Sequence, residues 1–208
     1  MEEVLNKYGF EYQLKPQQTR IINSVVEKQN IIGILPTGFG KSDTFIIPPL
    51  LLDQCSIVFT SPESIMMEPW RGMLRNVHYK ERLILLVCDE AHCIVEWGDD
   101  FRPEYKKNNV LRSLVTCPWL ILTATATEAM MNIMLLHLLF EENDITTVAT
   151  VPDRPNIVLH YKNNGKMKYE EELDWYLNDL SKNGVNAKKV IIYCRSLSQV
   201  SDIHEHLV

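Results

Sequence analysis

This chain has no excess of positive charge. Its formal net charge is −6 over 208 residues, which excludes a protein that coats polyanions through bulk electrostatics. Any contact with nucleic acid has to come from a local patch, from backbone amides or from stacking. Cysteine is sparse and unpatterned. The five cysteines, Cys55, Cys88, Cys93, Cys117 and Cys194, include no CxxC pair, and this excludes a zinc ribbon and a disulfide framework. Cys88 and Cys194 lie in apolar runs and read as reduced thiols. No long apolar run is present either. The longest stretch, about Met130 to Phe140, is broken by Asn132 and His137 and is too short to span a membrane. The opening MEEVLNKYGF has none of the features of a secretory leader. The expectation is a nuclear or cytoplasmic protein with no membrane contact. No internal repeat or low-complexity tract breaks the chain. What remains is ordinary globular composition, 46% hydrophobic and 23% charged, enough for one core and part of a second.

The most informative segment is DEAHCIVEWGDDFRPEY, residues 89–105. It follows the apolar run Leu83 to Cys88. A buried parallel strand presents carboxylates in this way at its C-terminal end, where open α/β sheets bind ligands. The loop that follows interleaves Trp97, Phe101 and Tyr105 with Arg102. Aromatic side chains offer faces for base stacking, and arginine adds phosphate or cation–π contact. Phe101 and Tyr105 fit equally a loop pinned to its own core.

Upstream lies LPTGFGKS, residues 35–42. It departs from the strict G-x-x-x-x-G-K-[ST] phosphate loop because Leu35 stands at the first glycine position. The working parts are kept. Gly38 and Gly40 allow a tight loop with inward N–H groups, and a helix N-terminus follows. Lys41 can reach the β and γ phosphates, and the Ser42 hydroxyl can hold Mg2+. Pro36, Thr37 and Phe39 complete the loop. The competing reading is a glycine-rich turn with a surface lysine. Among the DEAH residues, Asp89 is the expected second Mg2+ ligand and Glu90 the group that orients or deprotonates water. Downstream, LTATAT at 122–127 places Thr123 and Thr125 at a strand end.

Apolar periodicity predicts a helix over 17–28 with Ile21, Ile22, Val25 and Val26 on one face. Strands are predicted at 31–35, 55–60, 83–88 and 118–123, with helices beginning near Lys41 and near Glu63. Thr125 and Glu128 have capping-box spacing for a methionine-rich helix reaching about Phe140. Strands alternating with helices predict a mostly parallel sheet. Residues 151–156 carry two prolines and read as a linker. Beyond it, Leu173, Tyr176, Leu177 and Leu180 form a helical stripe, with Gly184 as its C-cap. Residues 190–194 read as a strand, and Val200, Ile203 and Leu207 as a last helix.

In order and chemistry, the loop at 35–42, DEAH at 89–92, the aromatic loop and TAT at 123–125 resemble the RecQ branch of the superfamily-two ATP-dependent DNA helicases. YGFEYQLKPQQ near the N-terminus resembles the adenine-recognition motif of that family. Gln18 is its glutamine, and Lys15 stands where arginine is common, which weakens planar stacking. Asp153 to Asn156 and Ile191 to Cys194 resemble the junction between lobes and the first strand of the second lobe. The resemblance implies an α/β fold: a RecA-like P-loop NTPase lobe over 1–150, a linker at 151–156, and a truncated second RecA-like lobe over 157–208. It implies ATP and Mg2+ as cofactors, single-stranded or partially duplex DNA as partner, and 3′-to-5′ unwinding as the family activity. Glu90, Lys41 and His92 become the catalytic group, His92 linking the ATP site to the DNA loop. Trp97, Phe101, Arg102 and Tyr105 become DNA contacts, and Thr123 and Thr125 couple hydrolysis to lobe movement.

The resemblance also has two gaps. Asp89 follows Lys41 by 48 positions, a shorter interval than in the family, and a βαβ-sized block is expected to be missing near Gln54-Cys55. The second lobe stops after one expected strand and two helices. The chain is therefore expected to bind nucleotide at best and not to unwind DNA alone. A non-catalytic nucleic-acid-binding or protein-binding remnant is the alternative. A small P-loop kinase is a third reading, but it gives no reason for DEAH, the aromatic loop or TAT.

Overall fold

The computed structural model describes residues 1–53, 56–96, 109–151 and 169–207. These fall into two compact units, Met1–Asp153 and Arg154–Val208.

The first unit is built on four parallel strands, β1 (Asn30–Ile34), β2 (Leu86–Cys88), β3 (Trp119–Thr123) and β4 (Ile145–Ala149). Their order in the sheet is β2-β3-β1-β4. β3 is central and buried along its whole length. Alternation of side chains sorts the core into two faces. Ile31, Leu120, Leu122 and Val148 pack on one face with Ile21 and Val25. Ile32, Ile121, Cys88 and Trp119 pack on the other with Ile94, Leu111, Met134 and Leu135. Asn30 ties three strands together at their N-terminal ends. Its amide donates to the Asp144 oxygen at 3.1 Å and its oxygen accepts from Trp119 N–H at 3.0 Å.

Two short helices open and cover this sheet: α1 (Glu2–Lys7) and α2 (Pro16–Val26). Pro16 starts α2 at the position where proline costs no hydrogen bond. Gly33 lets α2 lie close to the sheet. A Cβ there would stand 2.9 Å from Leu122 Cδ2 and 3.1 Å from Ile21 Cδ1. Val26, expected on the apolar face, points outward instead. After β1 and its loop comes α3 (Asp43–Leu51), which contains Pro48 and Pro49. Four short helices follow: α4 (Pro62–Ile65), α5 (Trp70–Arg75), α6 (Val77–Arg82) and α7 (Cys93–Glu96). The unit closes with α8 (Asn109–Leu114), α9 (Glu128–His137) and β4.

Several expectations are corrected. The strand expected at 55–60 does not form over the described residues 56–60. Ile57, Val58 and Phe59 are 42%, 63% and 78% exposed in irregular backbone. A strand is held by its neighbours' hydrogen bonds, and β2, three residues long, pairs with β3 alone. The Asp-Glu strand shrinks from the expected six residues for the same reason. The cap of α9 is Thr127, whose side chain accepts from Met130 N–H at 3.2 Å, not Thr125. Thr125 is engaged elsewhere. β4 was not foreseen, although Ile145-Thr146-Thr147-Val148 is a β-branched run of the kind that favours strands.

The second unit contains α10 (Tyr169–Asn183) and α11 (Leu197–Leu207). Leu173, Tyr176, Leu177 and Leu180 lie on the half-buried side of α10, and Gly184 follows it with a φ of +52°. Asp179 holds the turn after α10 by accepting from Asn183 Nδ2 at 2.7 Å and from Lys188 N–H at 2.9 Å. These bonds hold its carboxyl below the usual carboxylate range. The strand expected at 190–194 does not form. Ile191 and Tyr193 are exposed, because among the described residues this unit offers no second strand. The linker expected at 151–156 lies outside the described residues apart from Val151.

Candidate functional site

The C-terminal ends of β1, β2 and β3 open on one edge of the sheet, the edge at which parallel α/β folds bind ligands. The glycine loop follows β1, Asp89 and Glu90 follow β2, and Thr123 and Thr125 stand at the end of β3. The edge is stitched by backbone bonds. Leu35 N–H donates to the Thr123 oxygen at 2.9 Å, and Ala91 N–H to the Leu122 oxygen at 2.9 Å.

The side chains on this edge form a continuous relay. Lys41 Nζ stands 3.8 Å from Glu90 Oε1, with the lysine side chain 13% exposed and the glutamate 49%. Glu90 Oε2 lies 3.3 Å from His92 Nδ1. The same nitrogen lies 3.3 Å from Thr123 Oγ1. The Thr123 hydroxyl is buried, donates to the Thr125 oxygen at 2.9 Å and accepts from Thr125 N–H at 3.4 Å. Elements far apart in sequence thus meet through their polar atoms. Glu90 has a φ of +49°, a left-handed conformation that costs a non-glycine residue about 1 kcal/mol. Such strain persists where the surroundings enforce it. Here the tight turn from β2 into α7 does so, with Asp89 Oδ1 accepting from Glu90 N–H at 2.9 Å.

The loop itself has Gly38 at φ +79° and Gly40 at φ +89°. A Cβ at Gly40 would lie 2.6 Å from Gln18 Nε2, whereas Gly38 faces open space. Gln18 Nε2 donates to the Gly40 oxygen at 2.9 Å and to Asp43 Oδ2 at 3.0 Å, and Gln18 Oε1 accepts from Lys15 N–H at 2.8 Å. Lys15 Nζ donates to the Phe39 oxygen at 2.9 Å and sits 4.1 Å from the centre of the Phe39 ring. Thr44 Oγ1 donates to the Lys41 oxygen at 2.6 Å and closes the first turn of α3. Ser42 precedes α3, is exposed and makes no capping bond with its side chain.

These groups suit a magnesium–nucleotide complex. Glycine φ values above zero and an open space at Gly38 fit a loop that wraps phosphate. Ser42 and Asp89 carry hard oxygen atoms of the kind that Mg2+ takes. Among the described residues no group of three or more His, Cys, Asp or Glu side chains is arranged to hold a metal by itself. Pro36 and Thr37 lie at the start of the loop. Trp97, Phe101, Arg102 and Tyr105 lie outside the described residues, as does Gln54-Cys55. Two residues escaped the sequence reading. Asp43 and Tyr12 are joined at 2.9 Å from the Tyr12 hydroxyl to Asp43 Oδ1; both are ordinary polar residues in sequence, with no spacing that marks them.

A parallel α/β sheet with a glycine loop after one strand and a carboxylate pair after another defines a RecA-like lobe. The DEAD/DEAH box helicase family model matches this chain over residues 15–78 and 50–133. The chain belongs to that family, and within it to the RecQ helicases.

It is 35% identical to the probable ATP-dependent DNA helicase RecS of Bacillus subtilis over 204 residues, covering 75% of this chain and 40% of that protein. It is 28% identical to the ATP-dependent DNA helicase RecQ of Haemophilus influenzae over 252 residues, covering 97% of this chain and 39% of that protein. It is 31% identical to the ATP-dependent DNA helicase Q-like 2 of Arabidopsis thaliana over 245 residues, covering 91% and 34% respectively. The chain therefore spans about two fifths or less of the length of these relatives. The Haemophilus match also extends further than the chain. In a 208-residue chain, 97% is about 202 residues, so roughly 50 of the 252 matched positions have no residue here.

No helix among the described residues is long and apolar enough to cross a membrane.

Proposed function

We propose that this chain binds Mg-ATP at the 36–42 loop and hydrolyses it slowly, in response to single-stranded DNA. The relay from Lys41 through Glu90 and His92 to Thr123 and Thr125 carries this reading. Lys41 rests against Glu90 and is placed to move onto the terminal phosphates, where its charge offsets theirs. That movement releases Glu90, which is half-exposed and positioned to hold the attacking water and take its proton. Ser42 and Asp89 would hold Mg2+, which would supply charge neutralisation at the phosphates. His92 bridges Glu90 to Thr123, so a change at the carboxylate is felt at the end of the central strand. Thr125 passes it to the segment leading into α9.

The DNA reading rests on the sequence of residues 97–105, with Trp97, Phe101, Arg102 and Tyr105 as the proposed contacts. The polarity expected is 3′-to-5′, as the family resemblance implies. A second reading has support of its own. Ile57, Val58 and Phe59 lie exposed where a strand was expected, and about 50 positions of the Haemophilus match have no counterpart. Both favour a non-catalytic chain that binds nucleotide and DNA without hydrolysing ATP. DNA-stimulated ATP hydrolysis separates the two. The parent chain should show a rise in phosphate release with a single-stranded oligonucleotide, and Glu90→Gln should abolish it. No hydrolysis above the Glu90→Gln level leaves the binding-only reading.

A further inference from the structure

We propose that two copies of this chain pair by exchanging strands: residues 56–60 of each copy lie along the free edge of β2 in the other.

β2 is an edge strand without the protection that edges usually carry. Among the described residues it pairs with β3 alone. Natural sheets cover such an edge, or place charge, proline or a bulge on it. Residues 83–88 read Leu-Ile-Leu-Leu-Val-Cys, with no charge and no proline. Leu86 and Cys88 pack into the core on one face of the sheet, and Leu85 and Val87 on the other. β3, with a neighbour on each side, is buried along its whole length. Residues 83–87 are only half-buried, so apolar surface is left open on both faces beside them. The opposite edge, β4, exposes Thr147 and Ala149 and offers less apolar surface.

The matching strand is on the same chain. Ser56-Ile57-Val58-Phe59-Thr60 has the β-branched and aromatic composition of a strand. In an extended segment Ile57 and Phe59 face one side and Val58 the other. The segment is thus apolar on both faces, as a strand buried within a sheet has to be. In the single chain its backbone is irregular, with Val58 63% and Phe59 78% exposed. The Phe59 ring touches Phe45 edge-on, at 6.4 Å between centroids, and stays mostly in solvent. Little contact is therefore lost when the segment moves.

A second copy fits this edge better than an unrelated partner, because each copy carries both the open edge and a strand suited to it. Exchange about a two-fold axis satisfies both edges and closes the assembly. Main-chain hydrogen bonds supply affinity, as in other strand additions. The area available agrees with a dimer. Phe59 at 78% exposure offers on the order of 150 Å2, within the range for an aromatic side chain. With Ile57, Val58 and the edge they cover, each exchange buries on the order of 600 Å2 and the pair about 1,200 Å2, the lower bound for a specific interface.

Sedimentation equilibrium of the 208-residue chain tests this. The parent should dimerise with a dissociation constant on the order of 10 µM, as a small interface implies. Val58→Lys and Phe59→Lys should each weaken the dimer about tenfold or more. Both side chains are exposed in the single chain, so neither change should lower its melting temperature in dilute solution. A synthetic peptide of residues 56–61 in excess should dissociate the parent dimer, and a scrambled peptide should not. A parent that stays monomeric about tenfold above that constant overturns the proposal. So does a dimer indifferent to both substitutions and to the peptide, or a series of larger species that never closes.

Hydrogen exchange separates pairing between copies from pairing within one. The Val58 and Phe59 amides should be protected at high protein concentration and unprotected in dilute solution. Protection that does not depend on concentration would mean that the segment pairs with its own β2, and it overturns the exchange.

Discussion

Lys41 Nζ and Glu90 Oε1 stand 3.8 Å apart across the C-terminal edge of the sheet, although they lie on loops after two strands that are not neighbours. β3 runs between those strands, and its end residue Thr123 joins the same relay through His92. The pairing gives a carboxylate partner to a lysine side chain that is only 13% exposed. On the proposed reading, that cation moves from carboxylate to phosphate when nucleotide binds.

Removal of that cation is the first test. Lys41→Ala should weaken Mg-ATP binding by about tenfold or more, the scale of a lost charge-assisted contact to phosphate. Titration calorimetry measures it, and equal affinity in parent and variant would remove the phosphate loop from the account.

Glu90, the group proposed to hold the attacking water, has an unfavourable backbone. Glu90→Gly relieves the φ of +49°, so the variant should unfold a few degrees higher than the parent, as expected for about 1 kcal/mol. It should lose hydrolysis at the same time. Calorimetric melting and phosphate release are read on one preparation. A lower melting temperature would show that the side-chain contacts outweigh the strain.

Tyr12 supplies a pH dependence. Burial is the largest cause raising its phenol above the ordinary value of 10.0, and the hydrogen bond and charge of Asp43 add to it. The protonated form is the one favoured by folding, so its contribution is fully present below pH 10 and is lost as pH rises through the higher folded value. A near-ultraviolet difference titration of parent against Tyr12→Phe should show one phenol ionising late. In Asp43→Asn that ionisation should move back toward 10.0.

The DNA contacts proposed for residues 97–105 are tested through Trp97. Stacking on an aromatic side chain is worth roughly 1–3 kcal/mol per base. Trp97→Ala should therefore weaken binding of a single-stranded oligonucleotide by about fivefold or more, and Arg102→Ala should lower affinity and its salt dependence together. Fluorescence anisotropy at low salt reads both. Absence of binding by the parent would favour a role confined to nucleotide or protein contacts.

Unwinding requires two lobes that alternately grip and move. The 208-residue chain, incubated with a 3′-overhang duplex and Mg-ATP, should displace no more strand than its Glu90→Gln variant. ATP-dependent displacement that disappears in that variant would show that these residues suffice.

The sequence alone determined the glycine loop at 35–42, the DEAH and TAT motifs, and the parallel α/β class. These depend on local pattern: glycines where φ must be positive, apolar runs of strand length, and carboxylates placed just after one of them. It also located α2, β1, β3 and α9 to within a few residues, because Ile21, Ile31, Leu120 and Met134 follow the periods of their elements.

The tertiary structure decided what depends on neighbours. Ile57 to Thr60 and Val190 to Cys194 have strand composition yet lie in irregular backbone, since a strand exists only beside a partner that completes its hydrogen bonds. Thr125, with the right spacing for a cap, bonds the Thr123 hydroxyl through its backbone, and the side chain of Thr127 caps α9. Gln18 reads in sequence as a base contact, and its engagement with Gly40 and Asp43 appears only when α2 and the loop after β1 are brought together. Hydrogen bonds across 22 or 31 residues leave no periodic trace in the chain, so only the folded packing reveals them.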